Sequence, residues 1–74
     1  MGELSGFSGR QVISKLEKLG FIFVSQRGSH KKLRKIVDGK IITAIVPEHA
    51  ELAVGTLRNV LRQAQVSVQE FLMI

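Results

Sequence analysis

The residues best suited to chemistry lie together between Arg27 and Lys35, which reads RGSHKKLRK. A histidine stands there among cations. An imidazole can exchange a proton at physiological pH, and cations beside it attract and hold phosphate. RNA would supply its own nucleophile to such a site. Its 2′-hydroxyl can attack the adjacent phosphodiester once a base takes the proton, while Lys32 and Arg34 stabilise charge growing on the phosphoryl oxygens. The chemistry needs no metal, and DNA, which lacks the hydroxyl, should not be cut this way. The period of two along a strand puts His30, Lys32 and Arg34 on one face and Lys31, Leu33 and Lys35 on the other. Gly28-Ser29 precedes them as a turn where a ligand backbone can approach closely, and Ser29 could hold a phosphate or only shape the turn.

His49, two residues after Pro47, is the second titratable candidate. It could protonate the leaving oxygen, a role that His30 alone leaves unfilled. The alternative is a loop residue that orders the turn after Pro47. With two histidines, no cysteine and scattered carboxylates there is no recognisable metal-ligand set, so neither metal nor cofactor is expected. There is also no Gly-rich phosphate loop and no Ser-His-Asp order, which sets aside nucleotide hydrolysis and acyl transfer.

The charge of the chain supports an anionic partner. Of 11 Lys and Arg, six (Arg27, Lys31, Lys32, Arg34, Lys35, Lys40) fall in one stretch against Asp38 alone, and the other basic residues are matched by acidic ones. The net +5 is therefore local. Such a patch attracts polyanions and speeds encounter with nucleic acid; a plain solvated strand edge is the competing reading, since edge lysines also block aggregation.

The elements that must position these residues are legible in outline. Ser8-Gly9-Arg10-Gln11 has the form of a capping box. Val12, Ile13, Leu16 and Leu19 then form one helical stripe, with Lys15, Glu17 and Lys18 outside it and Gly20 placed to end the helix. Phe21 to Gln26 and His30 to Val37 read as strands joined at Gly28-Ser29. Asp38-Gly39 is the strongest hairpin signal, and Ile41 to Val46 is a third strand stopped by Pro47. Leu57, Val60, Leu61 and Ala64 mark a second amphipathic helix starting near Gly55-Thr56, and Ser67-Val68-Gln69-Glu70 is a second capping box opening a short helix that ends in FLMI.

The pattern predicts an α+β fold of order α-β-β-β-α: a three-stranded antiparallel sheet with helices on one face and a short C-terminal helix. Strands one and three are apolar on both faces, Phe21 and Phe23 alternating with Ile22 and Val24, and Ile41 and Ile45 with Ile42 and Val46. A half-solvated strand would alternate apolar with polar, so the second face should be covered, either by another chain or by the FLMI segment.

The 74 residues are most simply one domain, 1–74, near the lower size limit for folding on a single core and able to gain from a partner or from homo-oligomerisation. No apolar run approaches a bilayer-spanning length and MGELSGFSG lacks a charged leader or hydrophobic signal core, so a cytoplasmic protein with no membrane association is expected.

The series SGRQVISKLEKLGF, RGSH, IVPEH and GTLRNVLRQAQVSVQEF resembles the HicA family of mRNA interferase toxins over nearly the whole chain. The resemblance implies a double-stranded-RNA-binding-like fold, cleavage of mRNA, and a catalytic histidine in a Gly-Ser-His segment, which here is His30 after Gly28 and Ser29. It also implies inhibition by a HicB-type antitoxin that covers the active-site region. Such a partner would account for both the apolar second face and the basic patch. Where family members often place an aromatic residue or another histidine after Gly-Ser-His, this chain has Lys31, Lys32 and Leu33. Its four aromatics are all phenylalanine, so recognition is expected to lean on phosphates through Arg27, Gly28, Ser29, Lys31, Lys32, Arg34 and Lys35. A non-catalytic RNA-binding module of the same fold is the alternative.

Overall fold

In the computed structural model, which describes residues 3–74, the first helix (α1, Gly9–Lys18) opens on the capping box read from the sequence. Ser8 Oγ accepts from the Gln11 amide at 3.0 Å and the Gln11 side chain accepts from the Ser8 amide at 2.8 Å. These bonds satisfy amides that have no partner inside the helix. The helix ends in a Schellman arrangement: the Gly20 amide donates to Glu17 O and the Phe21 amide to Leu16 O, both at 3.0 Å. Val12, Ile13 and Leu16 are buried, with Leu19 packed at the margin. Lys15 is not a solvated residue of the polar face. Its Nζ donates to Phe71 O and Ile74 O at 3.1 and 3.0 Å and lies over the Phe7 and Phe71 rings, which ties the C-terminal segment to α1.

Three strands follow, β1 (Ile22–Arg27), β2 (His30–Val37) and β3 (Lys40–Pro47), in an antiparallel sheet of spatial order β1-β2-β3. The hairpins turn at Gly28-Ser29 and Asp38-Gly39, as expected. The last helices are α2 (Val54–Ala64) and α3 (Val68–Leu72). The α-β-β-β-α order is thus the observed one. The start of α2 differs: it begins at Val54 with Ala53 as its N-cap, and no side chain caps it. At α3 Ser67 Oγ accepts from the Glu70 amide at 3.0 Å, so the Ser67 half of the expected box is formed.

The helices cover one face of the sheet. Leu33, Ala44 and Val46 point into a core with Val12, Leu16, Leu57, Val60 and Phe71. Val37, on the same face as Leu33 by the strand period, is the last residue of β2 and is exposed. Phe71 is fully buried, its ring edge-on to Phe7 at 5.1 Å between centroids. The FLMI segment therefore packs on the helical side, which removes it as a cover for the second sheet face. Among the described residues no helix is long and apolar enough to cross a membrane.

One residue beyond α2, Gln65 adopts φ 58°, with its amide bonded to Arg62 O and the Val66 amide to Leu61 O. A left-handed conformation costs a side-chain-bearing residue roughly 1–2 kcal/mol that glycine avoids. Gln65→Gly is expected to raise the urea midpoint by an amount equivalent to about 1 kcal/mol. A lowered midpoint would contradict this account of the helix end.

Candidate functional site

His30 begins β2 immediately after the two-residue turn. Gly28 at the first central position has φ +59°, which a residue with a Cβ disfavours and a type II′ hairpin turn requires. The turn is tight enough to pair Arg27 directly with His30, and on the other side His30 pairs with Pro47. Directly paired residues share a sheet face. The helix-free face thus carries Arg27, His30 and Lys32 together.

A β-bulge reconciles this grouping with the burial of Phe21. Phe23 pairs with Leu33 but Ser25 pairs with Lys32, so Val24 is an extra residue in β1. Strict alternation from buried Phe21 would turn Ser25 and Arg27 toward the helices. The bulge reverses the parity and puts both on the open face. There Ser25, Arg27, His30, Lys32 and Ile45 line one shallow cleft. Sequence reasoning missed Ser25 and Ile45, and no glycine marks the bulge.

Arg34 lies one step further along the same face, between Ile22 and Thr43. Its Nε is shielded from solvent and makes no hydrogen bond among the described residues. Lys31 and Lys35 are placed differently. Lys31 Nζ lies 3.3 Å from Glu48 Oε2 and near the Phe23 ring, while Lys35 Nζ lies over the Phe21 ring, so both belong to the helix-side face. The basic run is therefore divided between two faces. No carboxylate is paired into the open face at any position of the three strands.

His49 comes to the site through backbone contacts. The Glu48 amide donates to Ser29 O at 2.6 Å, which fastens the segment after Pro47 to the Gly28-Ser29 turn, and the Gly9 amide donates to His49 O at 2.9 Å. Gly9 is required by this approach: a Cβ there would overlap Pro47 O and lie 2.8 Å from Glu48 Cα. Glu48 also spans Lys31 and, at 3.9 Å, Arg10. The outcome is that the His49 and His30 rings stand 6.4 Å apart between centroids, edge to face at 73°. Both imidazoles are exposed.

Beyond Arg34 and Thr43 the open face carries exposed isoleucines. Ile22, Ile36 and Ile41 are 64%, 67% and 62% exposed, at the end of the sheet away from His30. Contiguous exposed apolar surface of this kind marks a place where another molecule sits. Among the described residues no three His, Cys, Asp or Glu side chains converge as a metal-ligand group.

The model of the protein family described as the HicA toxin of bacterial toxin-antitoxin systems matches residues 9–66. The matched span runs from the first residue of α1 to just beyond α2 and includes both histidines. No curated protein matches the chain.

Proposed function

The chain belongs to the HicA toxin family of bacterial toxin-antitoxin systems, and from that membership we propose that it acts as an mRNA interferase, a metal-independent endoribonuclease using His30. As a toxin of such a system it has an antitoxin partner. The observation that supports the reading most directly is the cleft in which His30 sits between Arg27 and Lys32 on a face without carboxylates. A phosphodiester drawn to those cations would lie within reach of the imidazole. His30 takes the 2′-hydroxyl proton, and Arg27 and Lys32, with Arg34 further along the same face, stabilise the charge developing on the phosphoryl oxygens.

The test is cleavage of a labelled single-stranded RNA by the purified chain in excess chelator, with DNA of the same sequence alongside. The expected result is cutting of RNA only. Cutting of both, or activity that needs added divalent metal, would overturn the mechanism.

The geometry also separates the lysines of the basic strand. Lys32→Ala is expected to weaken RNA binding and reduce the slope of log affinity against log salt by about one, because it removes one phosphate contact. Lys31→Ala should change the slope much less, since Lys31 is turned to the other face and paired with Glu48. Equal effects would mean that RNA does not lie on the open face.

The same face suits an antitoxin of the HicB type. Such a protein would cover Ile22, Ile36 and Ile41 with apolar side chains and bring carboxylates to Arg27 and Lys32, burying one half of the surface and neutralising the other.

A further inference from the structure

His30 is at the start of a strand and His49 is in the loop after the neighbouring strand, 19 positions on, yet their rings face each other across 6.4 Å. At that separation their ring nitrogens are too far apart to hydrogen-bond one another, and near enough for each to reach a different oxygen of one phosphodiester. The arrangement is held by main chain. The Ser29-Glu48 and Gly9-His49 bonds and the Gly9-Pro47 contact fix the loop on both sides of the imidazole, while the His49 side chain itself makes no hydrogen bond or ion pair among the described residues. A loop histidine kept for structure would be expected to use its ring in the turn it orders. Here the ring makes no hydrogen bond in the turn and instead stands edge to face with the second imidazole.

We infer that His49 is the general acid of the reaction and His30 the general base. This rests on the ribonuclease reading above. In the step, His30 accepts the proton of the 2′-hydroxyl as the 2′-oxygen forms its bond to phosphorus. The bond from phosphorus to the 5′-oxygen breaks, and that oxygen leaves with the proton given by His49. The products are a 2′,3′-cyclic phosphate and a 5′-hydroxyl end, and exchange with water returns both imidazoles to their starting states. The order of roles follows from placement. His30 lies inside the cleft with Arg27 and Lys32, the cations that hold the attacked phosphate, whereas His49 lines a separate depression with Ser8, Arg10, Glu48 and Ala50 and reaches the site only from the side, 6.4 Å from the His30 ring.

The discriminating substrate is an RNA in which sulfur replaces the 5′-bridging oxygen, since a thiolate leaves without being protonated. Wild type, His30→Ala and His49→Ala are compared on the oxygen and sulfur substrates, with circular dichroism and thermal melting to verify folding. His49→Gln is measured in parallel, as a variant that keeps a polar side chain in the loop.

On the oxygen substrate both His49 variants should lose about 10²–10⁴ in rate. On the sulfur substrate they should approach wild type, whereas His30→Ala stays impaired on both. A loss by the His49 variants on both substrates makes His49 a positioning residue and overturns the assignment. A rate within a few-fold of wild type on the oxygen substrate overturns it as well. If the wild type cuts neither substrate, the ribonuclease reading itself fails, and the acid role with it. The pH profile gives a second readout. Two opposed protonation requirements make it bell-shaped, and His49→Ala should remove the alkaline limb on the oxygen substrate. The charged groups around the pair are Arg27 and Lys32 on the sheet, Arg10 on α1, and Glu48 and Lys31 beside the loop.

Discussion

His30→Ala is expected to slow cleavage of single-stranded RNA by at least about 10²-fold, and by as much as about 10⁴-fold, the range supplied by a positioned acid-base group. Binding of the same RNA should fall little, because Arg27, Lys32 and Arg34 remain on the open face and provide the phosphate contacts. The fold should be unaffected, since His30 is exposed and makes no side-chain hydrogen bond among the described residues. Rate and affinity must therefore be measured together. A fall in affinity as large as the fall in rate would make His30 a binding residue, and an unchanged rate would remove it from the chemistry. The chain would then be a phosphate-binding module that exerts its toxin role without cutting.

The second large effect concerns stability and comes from the middle of the same strand. Leu33 is fully buried, with 0% exposure, and is surrounded by charged neighbours in sequence. Leu33→Ala should cost about 2–5 kcal/mol, the transfer of the lost atoms plus the cavity left where α1 and α2 meet the sheet. Small domains often have only about 5 kcal/mol in total. The variant is therefore expected to be largely unfolded at room temperature, or to melt far below wild type. Lys32→Ala, its exposed-face neighbour, should melt close to wild type. A urea titration of the two variants checks both statements, and a Leu33→Ala midpoint near that of wild type would contradict the packing described. The pair also guards against a misreading: loss of toxicity on mutating this strand has two separate causes, one in charge on the open face and one in burial beneath it.

Most of the fold was legible because its signals are local. The capping box at Ser8 and Gln11, the stripe Val12, Ile13 and Leu16, the Asp38-Gly39 turn and the strand from His30 to Val37 each depend on residues a few positions apart, and each is present. Local signals failed where the deciding contact was distant. Lys15 reads as a polar-face residue, yet it is drawn into the C-terminal segment by the carbonyl groups of Phe71 and Ile74. Gly55 and Thr56 resemble a cap, but they lie inside the first turn of α2, whose N-cap is Ala53 with no side-chain bond.

The site shows the same division. Residue order alone makes plain a histidine in a Gly-Ser-His turn, a net positive charge confined to one stretch, and a resemblance over the chain that a family match over residues 9–66 bears out. These follow from composition and short-range order, which need no coordinates. Which residues of β1 share the face of His30 depends on pairing between strands. The bulge at Val24 lets Phe21 stay buried while Ser25 and Arg27 share the face of His30, and Glu48 pairs with Lys31 on the other. The meeting of His49 with His30 likewise depends on an amide of Glu48 bonding to Ser29 and on Gly9 lacking a Cβ against Pro47. A bulge changes pairing parity without a mark in the side chains, and a backbone seam between distant segments uses atoms that every residue shares, so neither can be read from the order of residue types.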